Sequence, residues 1–295
     1  MPEENTVILQ TLKSFQPNEL PRGRCIATGK TKLIIDLEES PGNVAVFSMD
    51  NVTAGNGRRK AVGEGKGVLS NEISSNVFAR LKRDGIPVAF VRKGGDRWFE
   101  APACRMLPFE LVVRRRGTGS FTKRNPIVAD GAYFEQLVSE TYLKTTGKRW
   151  GEHELPDDDP LMVIDEKKKV IHLHDASVVF DEGKPFLTLP FSAVFTDPED
   201  FERLGTAQRQ SILTFIALEA AWREQECDLW DFKVEAGVTA KGEVIIADVI
   251  DAESCRVRDK KGVDLSKQFF RDGGDIDKVV ARYRMAAEYT KRFNN

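Results

Sequence analysis

The sequence predicts a mixed α and β fold, assembled from short antiparallel hairpins and a few amphipathic helices. Three observations predict it. At 295 residues the chain suits one large domain, or two lobes of roughly 100–200 residues each. Residues 229–240 and 243–248 flank Lys241-Gly242 and read as two strands of a β-hairpin. Residues 68–84, 200–225 and 276–293 repeat apolar side chains at helical spacing.

Composition narrows the class. The chain is 41% hydrophobic and 31% charged, ordinary for a globular protein, and its net charge of −2 argues against a polyanion binder as a whole. Cys25, Cys104, Cys227 and Cys255 form no CxxC pair, which fits a reducing cytosol and excludes a disulfide framework or zinc ribbon. No apolar run approaches the ~20 residues needed to span a bilayer. Met-Pro-Glu-Glu-Asn at the start lacks the basic-then-apolar pattern of a signal peptide, so a cytoplasmic protein is expected. There is no internal repeat or low-complexity segment.

In chain order, residues 1–20 read as a leader with a short helix near 7–15. Residues 24–36 follow, and Gly29-Lys30-Thr31 looks like the end of a P-loop. Arg24 stands where its first glycine belongs, and Leu33-Ile34-Ile35 predicts a strand where a P-loop needs a helix. What is expected instead is strand, glycine turn and strand, carrying Lys30 and Lys32 either over a nucleotide's phosphates or into solvent. Residues 44–49 read as a strand ending at Asp50, and 51–57 as a loop of small and amide residues. Leu69, Ile73, Val77 and Leu81 place a helix over 68–84, stopped by Gly85. Residues 87–92 and 97–100 read as short strands, and Pro108 as a joint between lobes. The expected division is therefore a leader at 1–20, an N-terminal lobe at 21–108 and a C-terminal lobe at 109–295.

Residues 111–113 read as a strand leading into Arg114-Arg115-Arg116 and a Gly/Thr/Ser loop. Arginine forks grip carboxylate and phosphate in two-point fashion, so a small anionic ligand is expected. A nucleic-acid patch is the competing reading, disfavoured because aromatics are not interleaved. Residues 133–144 read as a helix, and 161–164 with 170–174 as a hairpin that puts His172 and His174 on one face as a surface pair. The 200–225 helix leads into the hairpin, and a short loop or helix at 264–270 precedes the closing helix.

The hairpin carries the chemistry. Asp231, Lys233 and Glu235 alternate with Phe232 and Val234, so three ionisable groups share one strand face. A two-residue turn at Lys241-Gly242 puts Glu235 opposite Asp248; a slip of one residue would move Asp248 to the other face. Two facing carboxylates repel unless a cation lies between them, and Mg²⁺ suits one or two carboxylates plus nucleotide phosphates. An ordinary salt-bridged wet face makes the same pattern, and both readings stand at this point.

Assembled in order, these pieces resemble the SAICAR synthetase family. They are Gly29-Lys30-Thr31-Lys32; Asp50 with Thr53-Ala54 and Asn56-Gly57; Gly65-Lys66-Gly67; Asn71-Glu72-Ile73-Ser74-Ser75; residues 107–114; Gly119-Ser120 with Lys123-Arg124; Asp231 to Glu235; Asp248; and Ser254-Cys255-Arg256. The resemblance implies a two-lobed α+β fold related to ATP-grasp and kinase-like nucleotide binders, with a β-rich N-terminal lobe and a mixed C-terminal lobe. It implies a ligase of de novo purine biosynthesis. ATP phosphorylates the carboxylate of a carboxy-aminoimidazole ribotide, and the amine of L-aspartate attacks the acyl phosphate. By matched position, Gly29, Lys30, Thr31 and Lys32 lie on ATP, Glu235 and Asp248 hold Mg²⁺, and Lys233 and Asp231 face the reacting carboxylate. Arg114, Ser120 and Arg256 hold anionic substrate groups, with Asp50 and Lys66 beside the substrate. The implied partners are small molecules, with no nucleic acid or membrane; a homo-oligomer is left open.

The chain departs from the family pattern at Arg115, Gly117-Thr118, Ala236, 249–253 and throughout 125–200. The ATP side is better matched than the substrate side. A paralogue joining an amino acid to a related heterocyclic carboxylate is therefore a second reading, and a small-molecule kinase a third.

Overall fold

The computed structural model describes residue 15 and residues 19–54, 59–145, 149–156 and 158–294. Apart from Phe15, the helix expected near 7–15 lies outside the described residues, as does Asn56-Gly57. The chain divides into two compact units. The first is Met1–Cys104 with Asp248–Ser254 and Lys261–Asn295, and the second is Arg105–Ala247 with Cys255–Lys260.

In the first unit, β1 (Gly23–Thr28) and β2 (Lys32–Leu37) pair antiparallel, and Gly29 N–H donates to Lys32 O at 2.8 Å to close the turn. A strand, not a helix, follows Lys30, as the rejection of a P-loop requires. Alternation in β2 buries Leu33, Ile35 and Leu37 against Ala45 and Phe47 of β3 (Asn43–Ser48). Residues 51–57, expected as a loop, instead contain β4 (Asn51–Ala54), paired with β5 (Arg59–Val62). Val52 supplies the apolar anchor, being 0% exposed. Helix α1 (Lys66–Arg83) buries Ile73, Val77, Phe78 and Leu81, and the chain leaves it through Gly85 at φ 80°. Of the strand expected at 87–92, Val88 makes an isolated bridge and Arg92 begins β6 (Arg92–Lys93), which pairs with β7 (Trp98–Pro102). The sheet order is β1-β2-β3-β7-β6.

The second unit is built on one antiparallel sheet. After β8 (Cys104–Met106) come β9 (Phe109–Arg116), α2 (Ser120–Arg124) and β10 (Tyr133–Leu143). Small β11 (Arg149–Trp150) and β12 (His153–Glu154) pair with each other. Then follow β13 (Leu161–Asp165), β14 (Val170–His174), β15 (Leu187–Pro190), α3 (Phe191–Val194), α4 (Asp200–Arg223), β16 (Asp228–Thr239), β17 (Val244–Ala247) and β18 (Cys255–Arg258). The order runs β15-β14-β13-β10-β9-β16-β17, with β18 also on β16. Apolar side chains of β16 turn toward α4, where Phe232 meets Phe215 edge-to-face at 5.4 Å.

Three expectations are corrected here. Residues 133–144 form a strand, not a helix. Tyr133, Phe134, Val138, Thr141 and Tyr142 favour the pleated sheet, where β10 pairs with β9 and β13. The hairpin register is one residue off the expected one. Its turn has three residues, 240–242, with Gly242 at φ 83° and Thr239 N–H bonded to Glu243 O at 2.9 Å. Glu235 consequently lies opposite Ala247, and Asp248 falls beyond the strand, at φ 69° and in the first unit. His174 is buried against Phe180, with burial pushing its pKa down, while His172 bonds Thr188 Oγ1 at 2.9 Å, so they are not a surface pair.

The chain then returns to the first unit through α5 (Gln268–Arg271) and α6 (Ile276–Thr290). Asp275 caps α6 by accepting from Asp277 N–H at 2.9 Å, and α6 packs on α1. No helix among the described residues is long and apolar enough to cross a membrane.

Candidate active site

In the second unit the charged row of β16 faces equivalent positions on its neighbours. The pairing puts Asp231 opposite both Arg114 of β9 and Arg256 of β18, and Tyr142 of β10 opposite Glu110 of β9. Directly opposed residues share a sheet face. That face therefore carries Glu110 and Arg114, Glu140 and Tyr142, and Asp231, Lys233 and Glu235.

Asp231 is 2% exposed and accepts from two guanidinium groups, Arg256 Nη1 at 2.6 Å and Arg114 Nη1. Arg114 also donates through Nε to Glu140 Oε2 at 2.7 Å. Burial opposes its charge, but Asp231 and Glu140 outweigh burial and drive its pKa above the ordinary arginine value. Buried Arg124 donates to the other Glu140 oxygen and to Ala176 O at 3.1 Å, and Tyr142 Oη donates to Glu140 at 3.2 Å. Ser120 opens α2 and hydrogen-bonds Tyr142. Gly119 sits at φ 62°, where a Cβ would lie 2.7 Å from Arg256 Nη2, so the loop and the guanidinium touch only because the residue is glycine.

Farther along the row, Lys233 Nζ donates to Glu110 Oε1 at 2.8 Å and Glu235 Oε1 at 3.4 Å. Burial works against the ammonium, yet the two acids raise its pKa above the lysine value. Lys144, just past β10, is bonded to Glu235 Oε2. Asp159 accepts from Thr145 N–H and Oγ1, each at 2.9 Å; burial and then Glu110 raise its pKa.

The first unit holds the other expected residues. Lys30 is exposed at the β1–β2 turn, its carbonyl accepting from Asn51 Nδ2 at 3.2 Å, and Thr31 O accepts from Met49 N–H at 2.8 Å. Lys32 forms an ion pair with Asp248. Asp50 accepts from Gly67 N–H at 2.7 Å and from both terminal nitrogens of Arg97, at 2.9 and 3.1 Å. Burial raises its pKa, but these donors more than offset that and lower it. Lys66 is 1% exposed, bonded to Glu253 Oε1 at 2.8 Å, and lies 5.5 Å above the Tyr283 ring. Lys267 takes the other Glu253 oxygen at 2.7 Å. Thus Asp50 and Lys66, both expected beside the substrate, lie in ion pairs within the unit.

The structure brings Asp231, Lys233, Glu235, Arg114, Ser120 and Arg256 onto one sheet region of the second unit. Gly29, Lys30, Thr31, Lys32, Asp50, Lys66 and Asp248 belong to the first. Sequence reasoning missed Glu110, Glu140, Tyr142 and Lys144. The last three alternate like the β16 row, a signal hidden by reading 133–144 as a helix.

Glu235 and Asp248 suit a hard cation chemically: both are carboxylates with little exposure, and each already carries a lysine as counter-charge. No cluster of three or more acid, histidine or cysteine ligands occurs among the described residues. Each carboxylate, taken singly, fits an ion that arrives with a nucleotide rather than one held in an all-protein cage.

A SAICAR synthetase family model matches residues 25–288. Among curated relatives, the phosphoribosylaminoimidazole-succinocarboxamide synthase of Chloroflexus aurantiacus is 31% identical over 278 residues, covering 92% of this chain and 97% of that one. The bifunctional phosphoribosylaminoimidazole carboxylase/succinocarboxamide synthetase of Drosophila melanogaster is 32% identical over 276 residues, 90% of this chain but 57% of that protein. The chain thus spans little more than half the length of such bifunctional relatives. Among solved structures, the Ehrlichia chaffeensis phosphoribosylaminoimidazole-succinocarboxamide synthase matches with TM-score 0.70 at 24% identity, covering 91% of this chain and 98% of that one. A SAICAR synthetase solved in complex with ADP matches at TM-score 0.69 and 23% identity, over 90% of this chain and 96% of that one. These likenesses establish the α+β fold.

Proposed function

The chain belongs to the SAICAR synthetase family, and from that premise we propose that it is an ATP- and magnesium-dependent ligase. It joins the carboxylate of a carboxy-aminoimidazole ribotide to the amine of L-aspartate, as a cytoplasmic step of purine biosynthesis. The observation that carries this reading is the match over residues 25–288, which runs through the charged row of β16 and both of its arginine partners.

A carboxylate is a poor acyl donor. Phosphorylation by ATP gives it a leaving group, the aspartate amine then attacks the carbonyl carbon, and phosphate departs as the amide forms. Such chemistry asks the protein for positioning and charge neutralisation rather than covalent participation. Lys233 supplies a fixed positive charge for the reacting carboxylate, because Glu110 and Glu235 keep its amine protonated. Asp231 orients Arg114 and Arg256 so that their remaining N–H groups, with the Ser120 hydroxyl, receive anionic substrate groups. The Gly29-Lys30-Thr31-Lys32 turn binds the nucleotide's phosphates. Glu235 and Asp248 are the carboxylates assigned to magnesium, which when bound neutralises phosphate charge. Asp50, bonded to the first turn of α1, and Lys66, at its start, are the residues assigned beside the substrate, and their ion pairs hold them in place there.

Purified protein incubated with ATP, Mg²⁺, aspartate and the ribotide is expected to release ADP and form the amide. Turnover with a different heterocyclic acid, and none with the ribotide, would assign a paralogous ligase. A stable phosphorylated product without consumption of an amine would assign a kinase.

A further inference from the structure

Glu235 is 4% exposed, and a carboxylate buried that deeply needs a counter-charge before any ligand arrives. Two ammonium groups reach it, and they are not equivalent. Lys233 makes its shorter bond, 2.8 Å, to Glu110, and stands 3.4 Å from Glu235. Lys144 bonds the other Glu235 oxygen directly, and its side chain is 38% exposed.

The backbone around Lys144 is pinned. Its N–H donates to Pro108 O at 2.9 Å, Leu143 N–H to Pro160 O at 3.1 Å, and Thr145 binds Asp159. A fixed backbone carrying a long, partly solvated side chain leaves the ammonium as the movable part. The first unit repeats the arrangement, with Lys32 on Asp248.

We propose that Lys144 is the built-in counter-ion of Glu235, occupying the carboxylate until a divalent cation displaces its ammonium. The inference rests on the reading of Glu235 as a metal ligand. Two positive charges on one carboxylate oxygen repel, so the cation and Lys144 compete. Lys144 thereby lowers affinity for the bare ion between turnovers.

The test is Mn²⁺ retention by the full chain without nucleotide, read from the paramagnetic resonance signal of free Mn²⁺. Lys144→Met is expected to bind Mn²⁺ about fivefold more tightly than wild type, the equivalent of the ~1 kcal/mol of a partly exposed ion pair. Lys144→Arg, which restores the charge, is expected to return to the wild-type value. Should wild type retain none across the millimolar range, Lys144→Met is expected to gain retention. Equal or weaker binding by Lys144→Met, or none in either protein, overturns the proposal. Glu235→Gln separates the two ideas. If it loses Mn²⁺ while Lys144→Met matches wild type, only the counter-ion role fails. If wild type, or Lys144→Met, retains Mn²⁺ and adding Glu235→Gln leaves that binding unchanged, the ligand reading fails and takes this inference with it. Circular dichroism melting of each variant checks that the fold is intact.

Discussion

Replacing Glu253 by Gln puts a number on the charge cluster inside the first unit. The Glu253 carboxylate is held between Lys66 at 2.8 Å and Lys267 at 2.7 Å. Burial alone would push its pKa up, but the two ammonium groups prevail and bring it down from 4.5 to about 2. At 1.36 kcal/mol per tenfold step, that fall contributes about 3 kcal/mol to stability. Because the folded value lies below the unfolded one, the contribution is fully present above about pH 4.5 and is lost as pH falls through about 2. Glutamine carries no charge at any pH. The difference between wild type and Glu253→Gln is therefore expected to be about 3 kcal/mol near pH 7 and about half of that near pH 3. Hydrogen exchange at the α1 amides, followed through urea unfolding at several pH values, reads the first unit itself. A difference under about 1 kcal/mol near neutrality, or one that does not change with pH, would refute the reasoning.

Other substitutions probe the second unit and the proposed roles. Asp231→Asn leaves Arg114 and Arg256 without their shared anion and should cost about 3–5 kcal/mol in urea unfolding, along with ADP release. Gly119→Ala must hold φ 62° beside the Arg256 guanidinium, so a loss of roughly 1–3 kcal/mol is expected with a raised KM for the anionic carboxylate substrate. Glu235→Gln and Asp248→Asn are nearly isosteric; each should lower ADP release at least about 10-fold to 100-fold, with Asp248→Asn melting within a few degrees of wild type. Phe215→Ala removes the ring packed on Phe232 and should destabilise by about 3–5 kcal/mol in chemical unfolding.

Where the sequence was legible, a period reached the surface of the pattern. The alternation in 229–236 gave the charged row because its apolar partners pack on α4, and helices at 66–83, 200–223 and 276–290 announced themselves by buried side chains at helical spacing. Residues 133–143 misled because an internal strand carrying Glu135, Gln136 and Glu140, with Lys144 just past its end, has no clean apolar face. Glu140 and Lys144 are satisfied by β9 and β16, which lie apart in sequence, and Glu135 and Gln136 are exposed. The register error has a local cause: Lys241-Gly242 looks like a two-residue turn, but the glycine takes the left-handed position at the end of a three-residue one. Nor did the arginine run show that its members are held by Asp231, Glu140, Glu219 and Asp228, since each partner comes from another element.

The order acid–lysine–acid on β16 has a consequence for the kind of chemistry the face can perform. Burial by itself drives a lysine toward the neutral amine, the form used by nucleophilic and Schiff-base lysines. Glu110 and Glu235 reverse that outcome at Lys233, so the side chain stays an ammonium beyond the ordinary lysine range. A permanent ammonium takes no proton from an amine and attacks no carbonyl. What it does well is stabilise negative charge that accumulates on a carboxylate or phosphoryl oxygen, without rearranging as the reaction proceeds. The same logic holds at Arg114, where two carboxylates fix both charge and direction. Pre-paired cations of this kind suit phosphoryl and acyl transfer between anions, and Lys233 should therefore impose no basic limb on the pH profile below its ordinary value of 10.5.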